Sequence, residues 1–168
     1  HEEAFSKRGG LFQMVQMWVN LPAKDKETTP KYQDLLFEEM TKVDLPEDGG
    51  YINVVAGEYL GHKGKGTTFS PMHLYNAYLK NSGEATFTFP ADYNTAILVI
   101  EGGVEVNSSQ HLAKDSFALF ENGAADTFTL SGTADNTIVL LMSGQPLNEP
   151  VAHYGPFVMN TQEQLAQA

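Results

Sequence analysis

The sequence predicts an all-β protein built as an antiparallel barrel or jelly roll. Short apolar segments of strand length follow one another along residues 51–142, with turn-forming residues about every 8 to 12 positions between them. Such spacing is typical of two-sheet antiparallel barrels. The candidate strands are residues 51–56, 72–79, 85–89, 95–100, 103–106, 116–120, 127–130 and 137–142.

Upstream of these segments, residues 12–21 predict a strand that is buried on both faces. Apolar side chains occupy both alternating sets of positions, and charges are almost absent. Trp18 lies in this segment, and a lone tryptophan in an apolar strand is most often a core residue. A polar loop is expected over residues 23–30, and residues 31–43 suit either a short helix or an irregular connection.

A linker is predicted at residues 46–50, where a proline, two acids and two glycines follow one another. The strongest strand signal follows at residues 97–106, which we expect to form a hairpin. Gly102 and Gly103 stand at its centre, and glycine readily supplies the positive φ of a tight turn. An apolar set with strand spacing is expected to belong to the barrel core: Phe117, Leu119, Phe128, Leu130, Ile138, Leu140 and Met142.

The last residues of the chain predict the start of a helix. Thr161 and Gln164 have the spacing of a capping box, in which each side chain bonds the backbone of the other. Few residues follow, so the helix is too short to be stable unaided.

The composition excludes several classes of function. The chain carries 21 acidic and 10 basic residues, and the resulting net charge of -11 repels nucleic-acid backbones and anionic membrane surfaces. It lacks an apolar run long enough to span a bilayer. The sequence contains no cysteine, and we expect a cytoplasmic protein without a secretory signal and without nucleic-acid or membrane partners.

Four short motifs lie toward the two ends of the chain: Trp18-Val19-Asn20-Leu21-Pro22, Lys31-Tyr32-Gln33, Glu149-Pro150-Val151 and Gly155-Pro156-Phe157-Val158-Met159-Asn160-Thr161. Together they resemble the pirin family. The resemblance implies two cupin barrels with a metal site in the first. We therefore expect residues 1–45 to be a remnant of an N-terminal cupin barrel with its linker, residues 46–150 to be a C-terminal cupin-type jelly-roll barrel, and residues 151–168 to be a tail that begins a helix. The chain would then be a fragment with leftover strands of the first barrel.

His1 and Glu3 are the candidate metal ligands. If residues 1–5 are extended, these two side chains point to the same face and can converge on one cation. The resemblance implies that they supply two of four ligands, the others being an upstream His-x-His pair that this sequence lacks. Three histidines and a carboxylate suit iron(II), with manganese, nickel or zinc as alternatives. The chain alone is expected to hold no metal and to be inactive.

Four further histidines, His62, His73, His111 and His153, lack the spacing of a second metal site. We expect them to be surface or hydrogen-bonded side chains, which leaves the second barrel free of metal.

Three functions remain open. The resemblance implies a metal-dependent quercetin 2,3-dioxygenase in which Glu3 acts on a flavonol as metal ligand and base together. The alternative is a non-catalytic, metal-responsive cofactor of transcription regulators with a protein partner. A weaker third is a sugar-handling jelly roll, such as an epimerase or lectin. We also expect residues 5–21 to pair with the second barrel or to mediate self-association, because unpaired apolar strands seek another edge.

Overall fold

Fourteen strands and two short helices make up the regular structure of residues 3–168, the part of the chain that a computed structural model describes. The helices are Glu3–Arg8 (α1) and Gln162–Gln167 (α2), and neither helix in this part is long enough to cross a membrane. Single 3-10 turns occur at Ala23–Asp25, Phe37–Glu39 and Pro46–Asp48. The strands are Thr41–Asp44 (β1), Gly50–Ala56 (β2), Glu58–Tyr59 (β3), His62–Lys63 (β4), Met72–Leu79 (β5), Glu84–Thr88 (β6), Asn94–Glu101 (β7), Gly103–Val106 (β8), Gln110–Ala113 (β9), Phe117–Leu119 (β10), Thr127–Gly132 (β11), Thr137–Gly144 (β12), Ala152–Tyr154 (β13) and Phe157–Met159 (β14).

Two antiparallel sheets face each other and enclose the core. The larger has the order β1-β2-β5-β12-β7-β10, and the smaller has the order β6-β11-β8-β9. Because side chains alternate along a strand, every second residue of each sheet points inward. Tyr75 and Ala77 of β5, Phe87 of β6, Ile97 of β7 and Leu130 of β11 are buried there. The predicted antiparallel two-sheet barrel is confirmed.

All eight predicted strands are present, each within two residues of its predicted bounds. The predicted start of a C-terminal helix is also confirmed: the Thr161 side chain caps α2 and Gln164 completes a capping box. Five further strands besides β1 were not predicted. They are short, mostly exposed segments in which apolar alternation is absent, as in β9, where only Leu112 is partly buried.

The hairpin predicted over residues 97–106 is wrong, although its turn exists. The strand before Gly102 pairs with β10 and β12, whereas the strand after it pairs with β9 and β11. The chain therefore crosses from one sheet to the other at this corner. Thr137 occupies the space beneath it: its hydroxyl lies 3.1 Å from the carbonyl oxygen of Gly103, and a Cβ at Gly102 would lie 2.5 Å from that hydroxyl.

The strand predicted over residues 12–21 is also wrong. Residues 11–22 have no regular secondary structure, and Trp18, expected in the core, is 61% exposed. Instead, four residues of this segment line a cavity of about 400 Å³ on the outer face of the six-stranded sheet, together with Leu74, Tyr78 and Leu140; the four are Gln13, Met14, Val15 and Met17. Side-chain contact has replaced the backbone pairing that a strand requires.

The predicted core stripe divides between two environments. Phe128 and Leu130 are buried, as expected, but Phe117 and Leu119 on the edge strand β10 are 61% and 72% exposed. Ile138, Leu140 and Met142 belong to the set of β12 residues that points away from the core, since Val139 and Leu141 fill it. The residues that precede β1 cover this outer apolar face of the six-stranded sheet.

Candidate functional site

The predicted pair His1 and Glu3 falls at the boundary of the described residues. His1 lies outside them, and Glu3 is the exposed first residue of α1, so the chain is helical from that point rather than extended. Within residues 3–168 no group of three or more histidine, aspartate and glutamate side chains is placed to hold a metal ion. The pair therefore stays a prediction.

A chain of contacts links α1 to the barrel. The Gly9 N–H donates to the Phe5 carbonyl at 2.7 Å, and the rings of Phe5 and Phe12 lie 5.1 Å apart. One residue further, the Gln13 side-chain amide donates to the Glu101 carboxylate at 3.3 Å, at the end of β7. These contacts join α1, which begins at Glu3, to the end of β7 in the six-stranded sheet.

Beyond this link, the same carboxylate joins an ion pair. Lys114 Nζ lies 2.7 Å from Glu101 Oε1. The hydrogen bond from Lys114 lowers the pKa of Glu101 most, and the hydrogen bond from Gln13 lowers it further. The carboxylate thus stays charged at neutral pH and remains an acceptor for Gln13.

Of the four remaining histidines, only His73 is drawn into the protein, whereas His62, His111 and His153 are exposed. The His73 ring packs 5.2 Å from Phe89 and 6.3 Å from Tyr93 at one end of the barrel. Its Nδ1 accepts a hydrogen bond from the Glu58 N–H at 3.2 Å, and burial lowers the pKa of the imidazole. The expectation of surface or hydrogen-bonded histidines is confirmed.

The open end of the barrel beside His73 contains a cavity of about 200 Å³. The cavity lies where β6, β8 and β10 end and where β7 and β11 begin. Four aromatic side chains line it, together with two acidic ones. These are Phe89, Tyr93, Phe120 and Phe128, with Glu121 and Asp126.

Sequence reasoning did not find this cavity. Its walls come from segments spread over residues 89–128, and only the pairing of the strands brings them together. Phe128 is buried, as its strand spacing predicts. The spacing of the apolar residues does not indicate that Phe128 also lines a cavity.

The chain is similar over its whole length to known proteins. The family model of the pirin C-terminal cupin domain matches residues 74–168. A Pseudomonas aeruginosa protein provisionally named quercetin 2,3-dioxygenase is 37% identical over 169 residues, covering 100% of this chain and 58% of its own length. Human pirin is 32% identical over 157 residues, covering 92% of this chain and 53% of its own length.

A solved structure agrees with these relatives. The crystal structure of quercetin 2,3-dioxygenase from Acinetobacter baumannii has 40% sequence identity and a TM-score of 0.92, and the match covers 99% of this chain and 57% of that one. The predicted cupin-type jelly roll is thereby confirmed. The chain spans little more than half the length of the relatives described here.

Proposed function

Because this chain belongs to the pirin family, we propose that it forms the C-terminal portion of a metal-dependent oxidoreductase of the quercetin 2,3-dioxygenase type. The observation that carries the proposal is the likeness, over 99% of the chain and at 40% identity, to a solved protein of that name. Since the chain spans 57% of that protein, the activity is proposed for the whole protein, with a flavonol-like small molecule as its substrate.

We place the metal contribution of this chain at His1 and Glu3, with iron(II) as the ion and manganese, nickel or zinc as alternatives. The described residues do not fit a metal by themselves, because Glu3 is the one proposed ligand among them and no cluster completes the set. We propose that the two ligands needed besides His1 and Glu3 come from outside this chain. The bound metal would supply Lewis acidity toward substrate oxygens.

The part that the described residues play is to hold Glu3 in position. Helix α1 is joined to the six-stranded sheet through the rings of Phe5 and Phe12 and through the hydrogen bond between Gln13 and Glu101. A carboxylate that serves as ligand or base needs its geometry fixed by such supporting contacts. The barrel is then a platform for the metal-bearing segment.

Oxygen consumption with quercetin tests the proposal on the intact protein. We expect uptake after loading with iron(II), loss of uptake after chelation, and recovery when the metal is returned. The 168-residue chain alone is expected to consume no oxygen under the same conditions. Absence of uptake by the intact protein with iron, manganese, nickel and zinc alike would refute the proposed activity.

A further inference from the structure

Four aromatic side chains contribute to the walls of the cavity at the open end of the barrel. Phe89 and Phe128 are buried, with ring centroids 6.1 Å apart, and the Phe120 ring packs against Phe128 in a tilted geometry, with centroids 4.3 Å apart. Tyr93 is half-buried at the rim. Aromatic faces carry negative electrostatic potential, so such walls attract apolar groups and cations alike.

The charges at the cavity favour cations over neutral or anionic ligands. Glu121 and Asp126 line it, and none of the described residues in its walls is basic. The hydroxyl of Thr127 donates to Asp126 Oδ1 at 3.0 Å, which holds that carboxylate at the rim. Opposite charge beside aromatic faces is the combination by which proteins bind alkylated ammonium groups.

Hydrogen bonds between loops order the rim of the cavity in the absence of a ligand. The Gly123 N–H donates to the Ala91 carbonyl at 2.6 Å, which ties the loop at residues 121–126 to the loop at residues 90–93. The Phe89 N–H donates to the Asp126 carbonyl at 2.8 Å, and Asn122 donates to Asn94 at 2.7 Å. A pre-organised rim reduces the ordering cost of binding.

From these features we propose that the barrel end is a binding site for a small organic cation with an alkylated ammonium group. The cavity volume of about 200 Å³ suits such a ligand, since an apolar cavity of about 150 Å³ accepts benzene. The aromatic rings enclose the methyl groups, and Glu121 and Asp126 balance the charge. This site is separate from Glu3, and the proposal does not depend on the oxidoreductase activity.

A pair of probes of equal shape tests the role of charge. Choline and its neutral carbon analogue, 3,3-dimethylbutan-1-ol, are titrated into the 168-residue chain, and backbone amide shifts are followed by NMR. We expect saturable shifts with choline around residues 89–95 and 120–128, and a markedly weaker response to the alcohol. Equal responses to the two probes, or no saturable shift with choline, would overturn the proposal.

Substitutions locate the site. Glu121→Gln, Asp126→Asn and Tyr93→Leu should each weaken choline binding about 2- to 30-fold. Asp92→Asn is the matched control, because Asp92 is exposed, adjoins Tyr93 and does not line the cavity. It should leave the dissociation constant within about 2-fold. Equal weakening of choline binding by Glu121→Gln, Asp126→Asn and Asp92→Asn would show attraction by net charge alone and would overturn the proposal. Circular dichroism verifies that each variant is folded.

Discussion

His73 Nδ1 lies 3.1 Å from the hydroxyl oxygen of Tyr75, two residues further along β5. The Tyr75 hydroxyl donates to the carbonyl of Glu58, and the N–H of Glu58 donates to His73 Nδ1. Because Nδ1 accepts in this arrangement, the neutral imidazole carries its proton on Nε2. The strand pair β3–β4 is thereby fastened to β5 at the end of the barrel.

The pH dependence of stability should report this histidine. Burial lowers the pKa of His73 below its ordinary value of 6.5, so the folded protein binds this proton less readily than the unfolded chain does. The stabilising contribution is complete above about pH 6.5 and is lost as the pH falls toward the folded-state pKa. The facing hydroxyl stays neutral, because burial raises the pKa of Tyr75.

We therefore expect the urea midpoint of unfolding to decrease as the pH is lowered from about 7.5 to about 5.5. The decrease should be smaller for His73→Gln, whose amide oxygen can still accept from Glu58. His62→Gln, at an exposed position, should retain the full pH dependence. An equal decrease in the urea midpoint with falling pH for wild type and His73→Gln would contradict the assignment of this pH dependence to His73.

Gly57 tests the close approach of backbone to this ring. Its φ is +77°, and an added Cβ would lie 2.5 Å from both His73 Nδ1 and the Met72 carbonyl oxygen. Gly61 has a similar φ of +83° with open space around it. Gly61→Ala should cost about 1 kcal/mol from the backbone conformation alone, whereas Gly57→Ala should cost about 3 kcal/mol or more because it also forces a clash. Equal losses in chemical denaturation would disprove the contact.

Two phenylalanine substitutions distinguish a position in the core between the sheets from an exposed position on an edge strand. Phe87 is fully buried between the sheets, and Phe117 on the edge strand is 61% exposed. Phe87→Ala should lower the free energy of unfolding by about 3 to 5 kcal/mol, and Phe117→Ala should change it by about 0.5 kcal/mol or less. A comparable loss at Phe117 would place it in the core, as the sequence pattern suggested.

Self-association of the 168-residue chain is expected through the segment at residues 11–20. Leu11 is 94% exposed and Met14 is 62% exposed, beside an outer sheet face that is itself apolar. Sedimentation velocity over a range of concentrations should show a growing weight-average mass, and Trp18→Ser should reduce the growth. Tyr154→Ser, at an exposed aromatic position outside this segment, is the control. Constant monomeric mass would refute the expectation.

Sequence patterns predicted eight of the fourteen strands, because each of these eight obeys local rules. Alternation gave Met72–Leu79, and capping chemistry gave the helix after Thr161. What failed depended on partners far along the chain. The pattern of residues 12–21 cannot distinguish pairing at a sheet edge from packing on a sheet face, and the glycines at 102–103 suit both a hairpin and a corner between sheets.

The candidate sites show the same division. Motif resemblance named His1 and Glu3, whereas the arrangement of His73 with Tyr75 and Glu58 arises only when β3 packs beside β5. The barrel-end cavity likewise needs five strand ends to meet. Chemistry carried by one short motif is visible in a sequence, and chemistry assembled by topology is not.

Oxygen uptake with quercetin by the intact, iron-loaded protein carrying Glu3→Gln tests the central claim most directly, with Glu2→Gln as the neighbouring control. We expect Glu3→Gln to lower kcat/KM by about 100-fold or more, because it removes the proposed ligand and base, while Glu2→Gln retains wild-type uptake and both variants retain the wild-type melting temperature. Uptake by Glu3→Gln that matches the Glu2→Gln control would contradict the role assigned to this chain.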